Sequence, residues 1–190
     1  MTRMTRMTRM TRSESRLRWL GAGILLMTIC TVAAAQSPQK ADLEGVRNFT
    51  KVDATIGCAG ATDVSAIPTL AGMGYKSIIN LRQSSEPGAA IDESRQAATA
   101  AGMKYVHLPL NGSAPDPAVI DGFIAAVTDP ANQPAFVHCG SANRVGAVWL
   151  AKRMVVDKWT EARALEEATT IGLSSATLRE FALSYAAARR

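Results

Sequence analysis

Ala135-Phe136-Val137-His138-Cys139-Gly140-Ser141-Ala142-Asn143-Arg144 is the stretch on which the fold is decided. Ala135–His138 is short and apolar, the pattern of a buried strand. A cysteine, four small or polar residues and an arginine follow it. The apolar run Val145–Val156 then reads as a central helix. The order is therefore strand, compact loop, helix. Upstream the same alternation recurs. Lys76–Leu81 reads as a buried strand, Gln83–Gly88 as a loop and Ile91–Ala101 as an Ala-rich helix stopped at Gly102. Lys104–Leu108 is the next strand, Asn111–Pro117 a loop, and Pro117–Val127 a helix with proline at its first position. Nearer the start, Phe49–Val52 and Ala54–Ile56 read as short strands around Asp53. A helical stretch follows over Asp63–Ala71, interrupted by Pro68 and ended by Gly72 and Gly74. Thr160–Ile171 and Ser175–Ala188 complete a helical C-terminal half.

Alternating strands and helices predict an α/β fold with a mostly parallel central sheet of four to five strands, covered by helices on both faces. Such sheets place their sites beyond the C-terminal ends of strands, here the loops after Leu81, Leu108 and His138.

The composition fits a folded domain. The chain has 190 residues, 47% hydrophobic and 19% charged, which excludes a disordered tail, a collagen-like repeat and a multi-pass membrane protein. The net charge of +5 suggests an acidic partner until it is localised. Residues 1–35 carry six Arg against Glu14 alone, and residues 36–190 balance 15 basic side chains with 15 acidic ones. The body of the protein is neutral, and its aromatic content of 5% offers no stacking platform, so nucleic acid is not an expected partner.

Residues 1–35 read as an address. After the repeat MTRMTRMTRMTR, a basic segment ending at Arg18 precedes the apolar run Trp19–Val32 and Ala33-Ala34-Ala35. This is the order of a secretory signal, with Met10 as good an initiator as Met1 and cleavage expected after Ala35. The expected organisation is a signal peptide over 1–35, a polar lead-in over 36–47 and one domain over 48–190, exported to the periplasm. Retained as an anchor, the run Trp19–Ala35 would be the only membrane contact; it is short and contains Gly21, Gly23 and Thr28. Cys30 lacks the small residue before it that a lipoprotein acceptor needs. Cys58 and Cys139 remain in the exported part, where disulfides are permitted.

The loop 139–144 carries the chemistry. Small residues at a helix N-terminus can turn successive N–H groups inward and cradle an anion. The same field favours the thiolate of Cys139 over its thiol. Arg144 supplies a planar fork for two oxygens of a tetrahedral oxyanion. A thiolate facing such an oxyanion is an activated nucleophile. The alternative is a buried structural cysteine beside a solvent-facing arginine. No metal-ligand cluster and no nucleotide-binding glycine motif are found; His107 and His138 are the only histidines. No cofactor is expected.

FVHCGSANRVGAVWLAKRM resembles the signature of cysteine-dependent protein tyrosine and dual-specificity phosphatases, and ATIGCAGATDVSAIPTLAGMGYKSIINLR resembles the opening of the dual-specificity fold. The branch most similar is the bacterial beta-lactamase-hydrolase-like, phosphatase-like domain. The resemblance implies Cys139 as nucleophile through a phosphocysteine and Arg144 as phosphate clamp. It implies a pocket lined by the amides of Gly140, Ser141, Ala142, Asn143 and Arg144, with His138 as a supporting residue. A phosphorylated protein or a small phosphoester would be the substrate.

Three departures bear on the reaction. The Cys-to-Arg loop is one residue shorter than phosphatases usually have, a length that also resembles rhodanese-type sulfurtransferases, in which the cysteine carries a persulfide. Val145 stands where a Ser or Thr usually aids breakdown of the phosphocysteine, and Ala142 where a Gly is usual. The general acid expected after Lys104–Leu108 is replaced by Asn111. Asp116 is the nearest carboxylate, although Asp116-Pro117 also reads as an N-cap and helix start, and Glu86 is a further candidate. Arg82 ends a strand and so is either an anion contact or a surface ion-pair partner. Cys58 is either a partner for a Cys139 disulfide or a buried, inert thiol. Three functions stay open: a phosphatase, a sulfurtransferase acting through a Cys139 persulfide, and a non-catalytic anion-binding module.

Overall fold

The structure is a computed structural model and describes residues 37–189. The leader, its cleavage site and Cys30 lie outside the described residues. Among those described, no helix is long and apolar enough to cross a membrane.

The core is a six-stranded sheet in the order β1-β2-β3-β6-β4-β5. Four strands are parallel: β3 (Ile56–Ala59), β6 (Ala135–His138), β4 (Ser77–Asn80) and β5 (Lys104–His107). The alternating pattern thus gives the expected α/β sheet, which is larger by two antiparallel edge strands, β1 (Gln39–Lys40) and β2 (Thr50–Lys51). Part of the polar segment 36–47 therefore supplies an edge strand, and Val46 within it is buried.

The strand after Asp53 lies further along than its composition suggests. Asp53 makes the turn, its Oδ1 accepting from the Thr55 N–H at 2.8 Å and hydroxyl at 2.7 Å. The strand then runs over Ile56-Gly57-Cys58-Ala59, residues whose small side chains do not advertise a strand. Gly57 belongs there because a Cβ would collide with the Tyr75 phenol ring packed across the strand.

Among the described residues, six helices cover the sheet. Pro68 is accommodated at the start of α1 (Ile67–Gly72), where its missing N–H costs nothing; the preceding turn, Val64–Ala66, is 3₁₀. α2 (Ile91–Ala100) joins β4 to β5, and α3 (Pro117–Thr128) follows β5. α4 (Asn143–Val155) is the central helix and starts two residues earlier than its apolar run. Val145, Val148, Trp149 and Leu150 are at most 1% exposed, because the sheet lies on one side and α5 (Glu161–Ile171) and α6 (Ala176–Ala187) on the other. At Gly146 an added Cβ would stand 2.8 Å from the Ala168 carbonyl oxygen, so only glycine lets α4 and α5 cross this closely.

Ala59, His138, Asn80 and His107 stand side by side in register at the C-terminal ends of the four parallel strands. The segments that follow them therefore emerge along one edge. That edge is the one expected to carry the site.

Candidate active site

The loop after β6 turns directly into α4. Ala142, the cap residue, adopts φ +74°, a left-handed conformation that costs an L-residue about 1 kcal/mol. It offers no side-chain oxygen to the first turn of the helix. The orphan N–H groups there stay free of a side-chain cap and face the loop with the positive end of the helix dipole.

Two carbonyls of the loop are bonded to groups outside it. The Gly140 oxygen accepts from the Ala61 N–H at 3.0 Å, and the Ser141 oxygen accepts from Asn48 Nδ2 at 3.3 Å. Asn143 ties the loop to the α5–α6 connection, its Oδ1 accepting from the N–H groups of Ser174 at 3.1 Å and Ser175 at 3.2 Å.

Cys139 is fully buried at the start of the loop that ends in Arg144. Arg144 does not face solvent; its side chain is 13% exposed. Nη1 donates to the carbonyls of Leu81 (3.2 Å) and Leu110 (3.0 Å) and to Glu86 Oε1 (2.5 Å), while Nη2 donates to Glu86 Oε2 at 2.8 Å. Three loops, following β4, β5 and β6, thus converge on one head group. Burial works against the cation, but the Glu86 carboxylate and then the Cys139 sulfur outweigh it and raise the Arg144 pKa above its ordinary value.

Glu86 is corrected by this geometry. Its hydrogen bonds to Arg144 first, then to the Gln83 N–H and Arg82, overcome partial burial and hold its carboxyl at about 2. It stays ionised at neutral pH and has no proton to give, so it is not a general acid. Arg82 is an ion-pair partner, of Glu86, but at 6% exposed it is not a surface one. Its guanidinium is spent on its own loop, donating to Pro87 O at 2.6 Å, Gly88 O at 2.7 Å and Glu86 Oε2 at 3.3 Å. Arg82 shapes the loop that presents Glu86 to Arg144. An arginine followed four residues later by a glutamate was the signal available in the sequence.

His138 lies beneath the loop, 3% exposed and stacked on Phe136 at 5.9 Å. Burial, then the nearby Arg82, pull its pKa down to about 3, so the ring is neutral near pH 7. Its Nδ1 finds no hydrogen-bond partner in the protein. Asp116 is the N-cap of α3, its Oδ1 accepting from the Ala118 N–H at 2.9 Å. Asn111 Oδ1 is engaged in its own turn with Ser113.

Cys58 lies inside β3, opposite Val137, in the core under α4. Both cysteines are free thiols. Burial, then the Glu167 and Asp53 carboxylates, push the Cys58 thiol well up, which is the buried, inert alternative.

The fold is shared with solved structures. The structure is similar to a putative phosphatase from Shewanella putrefaciens, with a TM-score of 0.65 and 23% identity over 77% of this chain and 96% of that one. It is similar to the core catalytic domain of the PP-IP phosphatase SIW14 from S. cerevisiae in complex with citrate (0.64, 20%, covering 76% and 88%). It is likewise similar to a cysteine-to-serine variant of P. aeruginosa TpbA in complex with pTyr (0.61, 19%, covering 82% and 91%). In sequence, the chain is 33% identical over 96 residues to the beta-lactamase hydrolase-like protein of Agrobacterium fabrum. That match covers 50% of this chain and 22% of the relative, so the chain spans about a fifth of its relative's length. The model of one family matches residues 48–155, from Asn48 through the loop to the end of α4. The chain belongs to that family, the phosphatase-like domain of beta-lactamase hydrolase-like proteins.

Proposed function

We propose that the chain is an exported, cysteine-dependent phosphatase that cleaves a phosphoester, on a phosphorylated protein or a small molecule. Its nucleophile is Cys139, and Arg144 clamps the phosphoryl group. The observation that supports the reading is a buried Cys139 and a largely buried Arg144 at the two ends of one loop whose Gly140 and Ser141 carbonyls are bonded to groups outside it. In a trans peptide the N–H opposes the C=O, so the amides of Ser141 and Ala142 face inward. Inward amides and a guanidinium stabilise the charge that develops on a transferring phosphoryl group.

In the first step the Cys139 thiolate attacks phosphorus. An S–P bond forms, the P–O ester bond breaks, and the leaving oxygen takes a proton. In the second, water attacks the phosphocysteine, the S–P bond breaks and inorganic phosphate leaves. Glu86 fixes one edge of Arg144 and leaves the Nε edge for phosphate oxygens. Asp116, whose Oδ2 is uncommitted by the cap, is the carboxylate assigned to the leaving-group proton. Aryl esters, which need that proton least, are the better substrates. Val145 supplies no hydroxyl to the second step, so the phosphocysteine accumulates. Among relatives, the names of the yeast and Pseudomonas structures cite a PP-IP phosphatase and a pTyr complex, and both substrate kinds are phosphoesters or phosphoanhydrides.

Intact-mass analysis after brief exposure to p-nitrophenyl phosphate tests the reading. A phosphoryl group on Cys139, absent in Cys139→Ser, is the expected result. A gain of one sulfur after thiosulfate, or no adduct with either, overturns it. Export is tested separately by fractionation: the protein is expected in the periplasm, shortened to begin at Gln36.

A further inference from the structure

One peptide of the loop is held differently from its neighbours. The Gly140 carbonyl is fixed by a backbone partner, the Ala61 N–H. The Ala142 carbonyl is fixed by the helix, accepting from the Gly146 N–H at 2.9 Å. The Ser141 carbonyl is held by a side chain, Asn48 Nδ2. The same Nδ2 donates to the Ile171 carbonyl at the end of α5, at 3.1 Å. Lys40, on the edge strand β1, fixes which way round the amide sits: its ammonium donates to Asn48 Oδ1 and, at 3.1 Å, to the Ile171 carbonyl. Asn48 reaches this position with φ +55°, a left-handed conformation that asparagine tolerates better than most residues. Gly172 completes the brace, since a Cβ there would stand 2.9 Å from both Asn48 Nδ2 and the Ala142 Cβ.

We infer that Asn48, oriented by Lys40, is a positioning residue for the anion cradle: by holding the Ser141 carbonyl outward it keeps the Ala142 N–H pointed at the bound phosphoryl group. This inference rests on the proposed phosphatase reading. Its physical content is the sign of one dipole. With the Ser141–Ala142 peptide turned over, a carbonyl oxygen faces the anion where an N–H stood, and an attraction becomes a repulsion. A glycine-poor loop with left-handed Ala142 has no spare conformations to absorb that change.

The test uses the full chain and tungstate as a phosphate-shaped oxyanion, with binding measured by calorimetry. Asn48→Asp keeps the shape and the Lys40 contact but offers only acceptors to the two carbonyls. Asn48→Gly keeps the left-handed backbone and removes the amide. Tungstate binding is expected to weaken about tenfold in Asn48→Asp, and severalfold in Asn48→Gly, for the loss of one hydrogen bond to the cradle. The kcat/KM for p-nitrophenyl phosphate is expected to fall in step, while the melting temperature moves little. Wild-type tungstate affinity in both variants overturns the inference and leaves the phosphatase reading standing. A wild-type protein that does not bind tungstate overturns both. If Asn48→Asp does not fold, Asn48→Gly decides alone.

Discussion

The loops after β4 and β6 both leave the same edge of the sheet, and each carries an arginine. Arg82 turns back on its own loop and satisfies the carbonyls of Pro87 and Gly88. Arg144 reaches across to a neighbouring loop, where Glu86 and the carbonyls of Leu81 and Leu110 receive it. The first arginine builds a rigid arm, and the second is aimed by it. Two residues of the same type, in loops that follow parallel strands, are therefore used differently: one within its own loop, the other between loops. What separates them is which partners remain unsatisfied within reach.

The sharpest way to break the comparison is to remove the chemistry from one loop alone. Cys139→Ser is expected to abolish turnover of p-nitrophenyl phosphate, by ~10⁴-fold or more, with an unchanged melting temperature. Arg144→Ala is expected to lower kcat/KM by about 10²–10³-fold, and Arg144→Lys to recover little of it, because an ammonium lacks the planar fork. Glu86→Ala leaves Arg144 charged but unaimed, and a fall in kcat/KM of about 10–100-fold is expected from that misplacement. A rise would instead identify Glu86 as a plug over the buried sulfur. Arg82→Ala is expected to act through folding, costing about 1–2 kcal/mol in denaturant titration by leaving the Pro87 and Gly88 carbonyls without their donor and Glu86 with Arg144 alone.

Acid separates the two loops more gently. Glu86 has its pKa lowered from 4.5 to about 2, so its ion pair stabilises the fold fully above pH 4.5 and is lost only as pH falls towards 2. His138 is lowered from 6.5 to about 3, so the unfolded chain binds a proton there first. Stability is therefore expected to fall between pH 6.5 and 3 on account of His138, with His138 acting alone down to pH 4.5 and Glu86 adding to the loss below it. Replacing His138 with Asn should flatten that window in pH-dependent unfolding. Were the slope to survive the replacement unaltered, the neutral, buried histidine would be the wrong source. The smallest effect is expected from Ala142→Gly, which relieves the left-handed strain at the loop and raises stability by roughly 0.5 kcal/mol.

The parts of the site that were legible in the sequence lie close together along the chain. Cys139 and Arg144 could be read because strand, loop and helix are consecutive, and the helix supplies its own field. Asp116 as a cap was legible for the same reason, since its partner is two residues away. Glu86 could be named but not given its role, because its partner is 58 positions distant. Asn48 gave no sign: it sits 93 positions before the carbonyl it holds. The strand Ile56–Ala59 was misplaced because Gly57 has no strand preference of its own and owes its position to Tyr75.

The α/β order of elements, the central helix and the loop from Cys139 to Arg144 could be read from the sequence alone. Each of these depends on hydrophobic periodicity and on contacts between near neighbours. Which carboxylate pairs with Arg144, which arginine serves its own loop and which side chain holds the Ser141 carbonyl emerged only from the folded chain. Those choices belong to hydrogen-bonding groups distant in sequence, and they acquire partners only when packing has excluded water from around them.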